Sequence, residues 1–188
     1  MRTITGAPPE NVMTIGKFEC LHLGHQSLIQ LAAKRSRALG LPLVVMTFDP
    51  HPRKVLGGGD FVPLVPLDQV ARVLENQFQV DYYLRYPFTK ELSQMSPKAF
   101  CKILFAELMA REVIVGEDYR FGVDRSGGVE FLENEARHYD AHVTVVPSIK
   151  IGGLVVSSSR IRELVEMGRL DEAQELAGFC IAQQIQHS

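Results

Sequence analysis

The feature that most constrains this chain is a repeated exchange between two periodicities. Short runs rich in apolar and β-branched residues, at 12–16, 43–48, 113–116 and 143–146, alternate with longer segments whose apolar residues recur every three or four positions. A half-buried strand would alternate apolar and polar residues, whereas a strand that is apolar throughout is covered on both faces. The pattern therefore predicts an α/β fold with an open parallel sheet and helices on both faces. Residues 24–39, with Leu28, Leu31, Ala32 and Leu39 in register and Gly40 as a stop signal, form the first expected helix, and its length suits a right-handed βαβ crossover. Further helices are expected at 67–78, from Pro97 (capped by Ser96) to about 110, at 127–140, 157–168 and 170–178, with one more strand at 80–84.

Residues 49–66 break the alternation. They hold Pro50, Pro52, Pro63, Pro66 and the run Gly57-Gly58-Gly59, so no regular element is expected there. Connections of this length are functional or mobile more often than not.

Size and charge exclude several classes. The 188 residues suit one domain spanning 1–188. A formal charge of −2 argues against a broadly basic nucleic-acid binder. Cys20, Cys101 and Cys180 are odd in number and form no C-x-x-C, as in a reduced chain. The first residues, with Arg2, Pro8, Pro9 and Glu10, lack a signal peptide's apolar core, and no stretch is long and apolar enough for a membrane helix. A cytoplasmic protein with no membrane or nucleic-acid partner is expected.

In open parallel sheets ligands bind beyond the carboxyl ends of the strands, so the chemistry is sought there. After the first strand, Gly16 leads to His22-Leu23-Gly24-His25 at the start of a helix. A spacing of three puts both imidazoles on one side of a turn whose free N–H groups point the same way, an arrangement suited to phosphate. Gly24 lets an anion approach the backbone. The competing readings are packed or surface histidines, or a zinc site on Cys20, His22 and His25 for which no fourth ligand is evident. After the second strand comes Thr47-Phe48-Asp49-Pro50-His51-Pro52-Arg53, either a wall for a planar anionic ligand or a rigid exit turn. Gly116-Glu117-Asp118-Tyr119-Arg120-Phe121-Gly122 crowds carboxylates, aromatics and an arginine into one loop, which suits a ligand or Mg²⁺ or is merely solvated. Finally Ser157, Ser158 and Ser159 precede Arg160 and Arg162 in what the pattern makes the first turn of a helix. Cations there oppose the helix dipole, and a bound polyphosphate would reverse the sign of that cost.

These four segments, in this order, resemble the FMN adenylyltransferase domain of bacterial FAD synthetases, within the HxGH nucleotidylyltransferases. The H-x-G-H element is shared across that superfamily, while residues 47–53 and 115–122 are more specific to the flavin branch. The resemblance implies a Rossmann-like fold and the reaction of FMN with MgATP to give FAD and pyrophosphate. It implies catalytic roles for His22, His25 and Arg162, and ATP contacts from Gly16, Lys17, Phe18, Gly24, Ser157, Ser158, Ser159 and Arg160. It places the flavin against Phe48, Pro50, His51, Pro52, Asp118 and Arg120, with the glycine-rich segment after Arg53 as a mobile flap.

The chain departs from the family in two places. Gly16-Lys17-Phe18-Glu19-Cys20 stands where the family usually has Gly-Asn-Phe-Asp-Gly. Lys17 offers a point charge, Glu19 carries a longer carboxylate, and Cys20 places a side chain that would be costly if the position needs positive φ. No riboflavin kinase domain is expected after Gly178, and residues 176–180 resemble a worn form of that junction. The altered loop keeps two other readings open: nucleotidyl transfer to a different phosphate-bearing acceptor, and a flavin or nucleotide binder without catalysis.

Overall fold

A computed structural model describes residues 1–5, 8–57 and 61–178. Six strands, β1 (Arg2–Ile4), β2 (Asn11–Ile15), β3 (Leu43–Asp49), β4 (Tyr82–Pro87), β5 (Ala110–Gly116) and β6 (His142–Val146), form one sheet in the order β1-β4-β3-β2-β5-β6. Every pairing in it is parallel. The open parallel α/β sheet expected from the apolar runs, and the Rossmann-like fold that the resemblance implies, are observed.

The apolar runs work because successive residues point to opposite faces and both faces are covered. Val12, Val45, Tyr83 and Ile114 pack into one core with Ile29 and Ala32 of α1 (Leu23–Leu39). Met13, Val44, Met46, Val113 and Val115 enter a second core on the other face. After α2 (Pro52–Val55), α3 (Leu67–Phe78) adds Val70 and Leu74 to the first core. Following the short α4 (Lys90–Ser93), α5 (Pro97–Lys102) and α6 (Val129–Ala136) cover the second core with Phe100, Leu132 and Ala136. A hairpin, β7 (Lys150–Ile151) and β8 (Leu154–Val155), leads to α7 (Ser158–Glu166) and α8 (Leu170–Ala177), which return to the first core through Ile161, Leu164 and Leu176. Among the described residues no helix is long and apolar enough to cross a membrane.

Several boundaries differ from the pattern. The helix expected from Pro97 to about 110 stops at Lys102 and continues as a π-helical turn over Ile103–Glu107. Ile103, Leu104 and Phe105 are all buried, and an α-helical stripe cannot bury three consecutive residues equally. Val80 belongs to the preceding turn, where Gln79 has φ of 54°, and the strand begins at Tyr82. The helix expected at 127–140 ends at Ala136 in a 3₁₀ turn. One helical turn, α2, lies inside the proline-rich connection, where no regular element was expected. β1 went undetected because an edge strand, here mostly exposed, needs no apolar run. Of the expected flap, Gly58 and Gly59 lie outside the described residues, as do Phe179 and Cys180 at the expected junction.

Candidate active site

β2 pairs with β3 on one side and β5 on the other, so the loops leaving β2 and β5 diverge and open a crevice at their carboxyl ends. The loop from Gly16 to His22 is fixed from several directions. Thr47 Oγ1 donates to the Lys17 carbonyl at 2.9 Å, and the Val65 N–H donates to the Glu19 carbonyl at 2.9 Å. Phe18 and Leu21 both adopt φ of 45° and are 0% exposed. Burial of these two side chains offsets the cost of a left-handed backbone at a non-glycine residue. Cys20, the position where positive φ would have been costly, is not among the positive-φ residues.

The loop delivers His22 as the N-cap of α1, with its Nδ1 accepting the His25 N–H at 3.3 Å. The two imidazoles stack with centroids 3.7 Å apart and planes 17° from parallel. The Phe18 ring meets His25 edge-on at 5.0 Å. A Cβ on residue 24 would lie 3.2 Å from the His22 ring, so Gly24 leaves room for the stack. Burial lowers the His22 pKa to about 4. Burial, then the neighbouring His22 and Lys17, hold His25 well below the usual imidazole range. Both rings are therefore neutral at pH 7. Because His22 Nδ1 accepts a hydrogen bond, its proton resides on Nε2, which makes that nitrogen a donor. His25 Nδ1 is buried with no partner among the described residues, an unsatisfied group of the kind that ligands complete.

The pair opens onto a cleft of about 790 Å³. Gly16, Lys17, Gly24 and Ser157 line it beside the histidines, and Phe48, Pro52, Asp118 and Arg120 line it on the strand-exit loops. Arg53, Tyr119 and Phe121, from the two segments put forward as ligand loops, also line it, as do Phe88 and Arg125, which lie outside those segments. Phe48 meets Phe88 edge-on at 5.5 Å, and Tyr119 stacks on Phe121 at 5.5 Å, so the cleft has an aromatic end. Phe88 was findable, since it follows the carboxyl end of β4 as the other site segments follow theirs. The Phe121 loop turns at Gly122, whose φ is 73° and where a Cβ would stand 2.8 Å from Pro97.

Other expected site residues stand elsewhere. Phe18 lies beneath the site in the core and does not line the cleft. Pro50 follows a cis Asp49–Pro50 bond and is exposed away from the cleft. His51 and Arg162 join a second cluster. Arg162 Nη2 donates to Glu19 Oε2 at 2.9 Å, and its guanidinium lies 4.9 Å from the Phe61 ring centre. His51 stacks on the same ring at 4.1 Å. Its Nε2 is 4.0 Å from Glu19 Oε1, but burial, then the charges of Lys17, Arg53 and Arg162, lower its pKa to about 4, so no ion pair forms at neutral pH. Arg162 sits in the second turn of α7, not the first. Arg160 is held by its own N–H on the Ser157 cap at 3.3 Å, and Ser159 is exposed. Ser158 Oγ lies 3.5 Å from Cys20 Sγ, and burial pushes that thiol up to about 11. Among the described residues no group of three or more His, Cys, Asp or Glu side chains is placed to hold a metal, so the structure does not bring Cys20, His22 and His25 together as zinc ligands.

Comparison with known proteins matches the geometry. The FAD synthetase family model matches residues 5–160. A bifunctional riboflavin kinase/FMN adenylyltransferase of Listeria monocytogenes is 34% identical over 172 residues, 89% of this chain and 54% of that protein. A putative bifunctional riboflavin kinase/FMN adenylyltransferase of Geobacillus thermodenitrificans is 36% identical over 174 residues, 91% of each. The bifunctional enzyme of Escherichia coli K12 is 30% identical, covering 100% of this chain and 61% of its own length. The chain thus spans about half the length of the Listeria relative. Among solved structures, one described as a macrolide-efflux protein from Streptococcus pneumoniae superposes with a TM-score of 0.78 at 28% identity, over 94% of this chain and 60% of its own. With the model matched across most of its length, and the histidine pair, switch-point cleft and aromatic wall in place, this chain belongs to the FAD synthetase family.

Proposed function

We propose that this chain is an FMN adenylyltransferase: it transfers the adenylyl group of ATP to the phosphate of FMN, giving FAD and pyrophosphate. The observation that carries the reading is the neutral, stacked His22–His25 pair at the N-terminus of α1, opening on a cleft whose far end is aromatic. A phosphate oxygen of FMN forms a bond to the α-phosphorus as the bond from that phosphorus to the bridging oxygen breaks, and pyrophosphate leaves. No group on the protein needs to become covalently attached. Catalysis is then positioning plus stabilisation of charge growing on the phosphoryl oxygens. His22 Nε2–H is such a donor, and a neutral imidazole in a buried site loses nothing to solvent when the anion forms.

In this reading Gly16, Gly24 and Ser157 surround the ATP phosphates, and Ser158, Ser159 and Arg160 follow the Ser157 cap in the first turn of α7. Arg162 is held on Glu19 and reaches the phosphates by exchanging one anion for another. Phe48, Pro52, Phe88 and Phe121 enclose the flavin ring, and Asp118 and Arg120 close the loop over it. Mg²⁺ enters as the ATP complex. Asp118, an exposed carboxylate in the cleft, fits the single protein ligand that a metal otherwise held by phosphates and water needs.

The test is to incubate the chain with FMN, ATP and Mg²⁺ and follow FAD by chromatography beside pyrophosphate. Equal amounts of both are expected, with none from riboflavin in place of FMN. Pyrophosphate with no FAD when other phosphate esters are supplied would move the reading to a different acceptor. ATP binding without pyrophosphate would move it to a binding protein.

A further inference from the structure

Three cations converge on the cleft from three separate segments. Lys17 leaves β2, Arg53 sits in α2 just beyond β3, and Arg125 ends the 3₁₀ turn after β5. All three line the cleft, and none makes an ion pair among the described residues. Elsewhere the arginines that meet carboxylates are paired off: Arg35 with Glu112, Arg85 with Asp49, Arg111 with Glu10 and Arg162 with Glu19. With Arg120, the cleft lining carries four cations against Asp118 and Asp124, although the whole chain has a net charge of −2. The local field is thus opposite in sign to the molecule's total. Like charges brought together raise one another's free energy: burial and the fields of Arg53 and Arg125 lower the Lys17 pKa, with the fields of Glu19 and Asp118 opposing them only in part. The turn bearing Arg125 also carries backbone cost, because Asp124 and Arg125 have φ of 53° and 57°.

Two of the cations travel with the aromatic wall. Arg53 lies five residues beyond Phe48, and Arg125 four beyond Phe121, on the segments at and after the ends of β3 and β5. The histidine pair and Ser157 belong to other elements, α1 and the cap of α7. An anion drawn to Arg53 and Arg125 is therefore next to the planar group the aromatics receive, while Lys17, on the loop that delivers the histidines, neighbours both these arginines and His25.

We infer that Lys17, Arg53 and Arg125 hold the phosphate monoester of the acceptor, and that Lys17 is the residue by which this cleft distinguishes a phosphorylated planar acceptor from its uncharged alcohol. This rests on the proposed function for the identity of the acceptor and deepens it. The Lys17 side chain makes no hydrogen bond or ion pair among the described residues and only its carbonyl serves the fold, so replacing the side chain leaves the loop intact.

The experiment measures binding without turnover. The Kd values of FMN and of riboflavin are read from quenching of flavin fluorescence, and that of ATP by calorimetry, for the native chain and the variants Lys17→Met, Lys17→Arg and Arg125→Met. Lys17→Met is expected to weaken FMN by roughly tenfold or more, the scale of one charge-assisted contact, with riboflavin and ATP changed less than twofold. Lys17→Arg should recover most of the FMN affinity, and Arg125→Met should flatten the salt dependence of FMN binding. Equal weakening of FMN and riboflavin, or weakening confined to ATP, would overturn the assignment. The two readings fail separately: selective loss of FMN affinity in a chain that forms no FAD would retain this site and refute the adenylyltransferase, and normal FAD formation with unchanged FMN affinity in Lys17→Met would do the reverse.

Discussion

Lowering the pH from 7 to 5 should destabilise this protein through His22, by an amount the structure sets. An unfolded imidazole titrates near 6.5, and burial holds that of His22 at about 4 in the folded chain. Above pH 6.5 both states carry a neutral ring and the stability is complete. As the pH falls from 6.5 toward 4, only the unfolded chain takes up the proton, so stability is lost through that window. At pH 5 the unfolded ring is almost wholly protonated and the folded ring about a tenth, which makes the loss about 2 kcal/mol relative to pH 7. For a chain of this size that lowers Tm by roughly 4–8 °C. The molecular reason is specific. Protonation at Nδ1 removes the acceptor of the His25 N–H and sets a cation against the stacked His25 ring at 3.7 Å. His22→Asn keeps an N-cap acceptor and cannot titrate, so it isolates the effect. Urea unfolding of both proteins at pH 7 and pH 5 should show the native chain losing about 2 kcal/mol more than the variant. Equal losses in the two would refute a buried, neutral His22.

Two further perturbations follow from the same geometry. Glu19→Gln keeps the volume but strips the charge facing Arg162; Glu19 is 6% exposed and Arg162 23%, so the cost should lie below that of a fully buried pair, about 1–3 kcal/mol, read as a Tm fall of roughly 2–12 °C. An unchanged Tm would mean the contact does not hold α7 to the loop after β2. Gly122→Ala meets both a left-handed φ of 73° and Pro97 at 2.8 Å, so it should cost upwards of about 1–3 kcal/mol in urea unfolding and weaken flavin binding through the adjacent Phe121. A variant as stable as the native chain would show that the turn can be rebuilt.

The layered α/β fold was legible because burial on both sheet faces writes itself into consecutive residues: Val12 and Met13, or Val113, Ile114 and Val115, enter different cores yet all must be apolar. The histidine pair was legible for a similar local reason, since a spacing of three at a helix start fixes two side chains on one side. Phe18 was not, because a ring in a site loop can turn outward to a ligand or inward to the core, and its φ of 45° with complete burial is settled by the packing of the loop. Nor was the fate of Arg162. Its position in the sequence marks it for phosphate, but its partner Glu19 is 143 positions away, and only the return of α7 across the sheet brings them to 2.9 Å. The same holds for the cations of the cleft. Arg53 and Arg125 are unremarkable in their segments and Lys17 is marked only as a point charge for phosphate, and the three become one field only when β2, β3 and β5 end side by side. Sequence by itself determined what each segment must be, since helix and strand periodicity and loop chemistry act over neighbouring residues. Which charges face one another, and which are left free for a ligand, depended on contacts between distant segments, and those exist only once the sheet has formed.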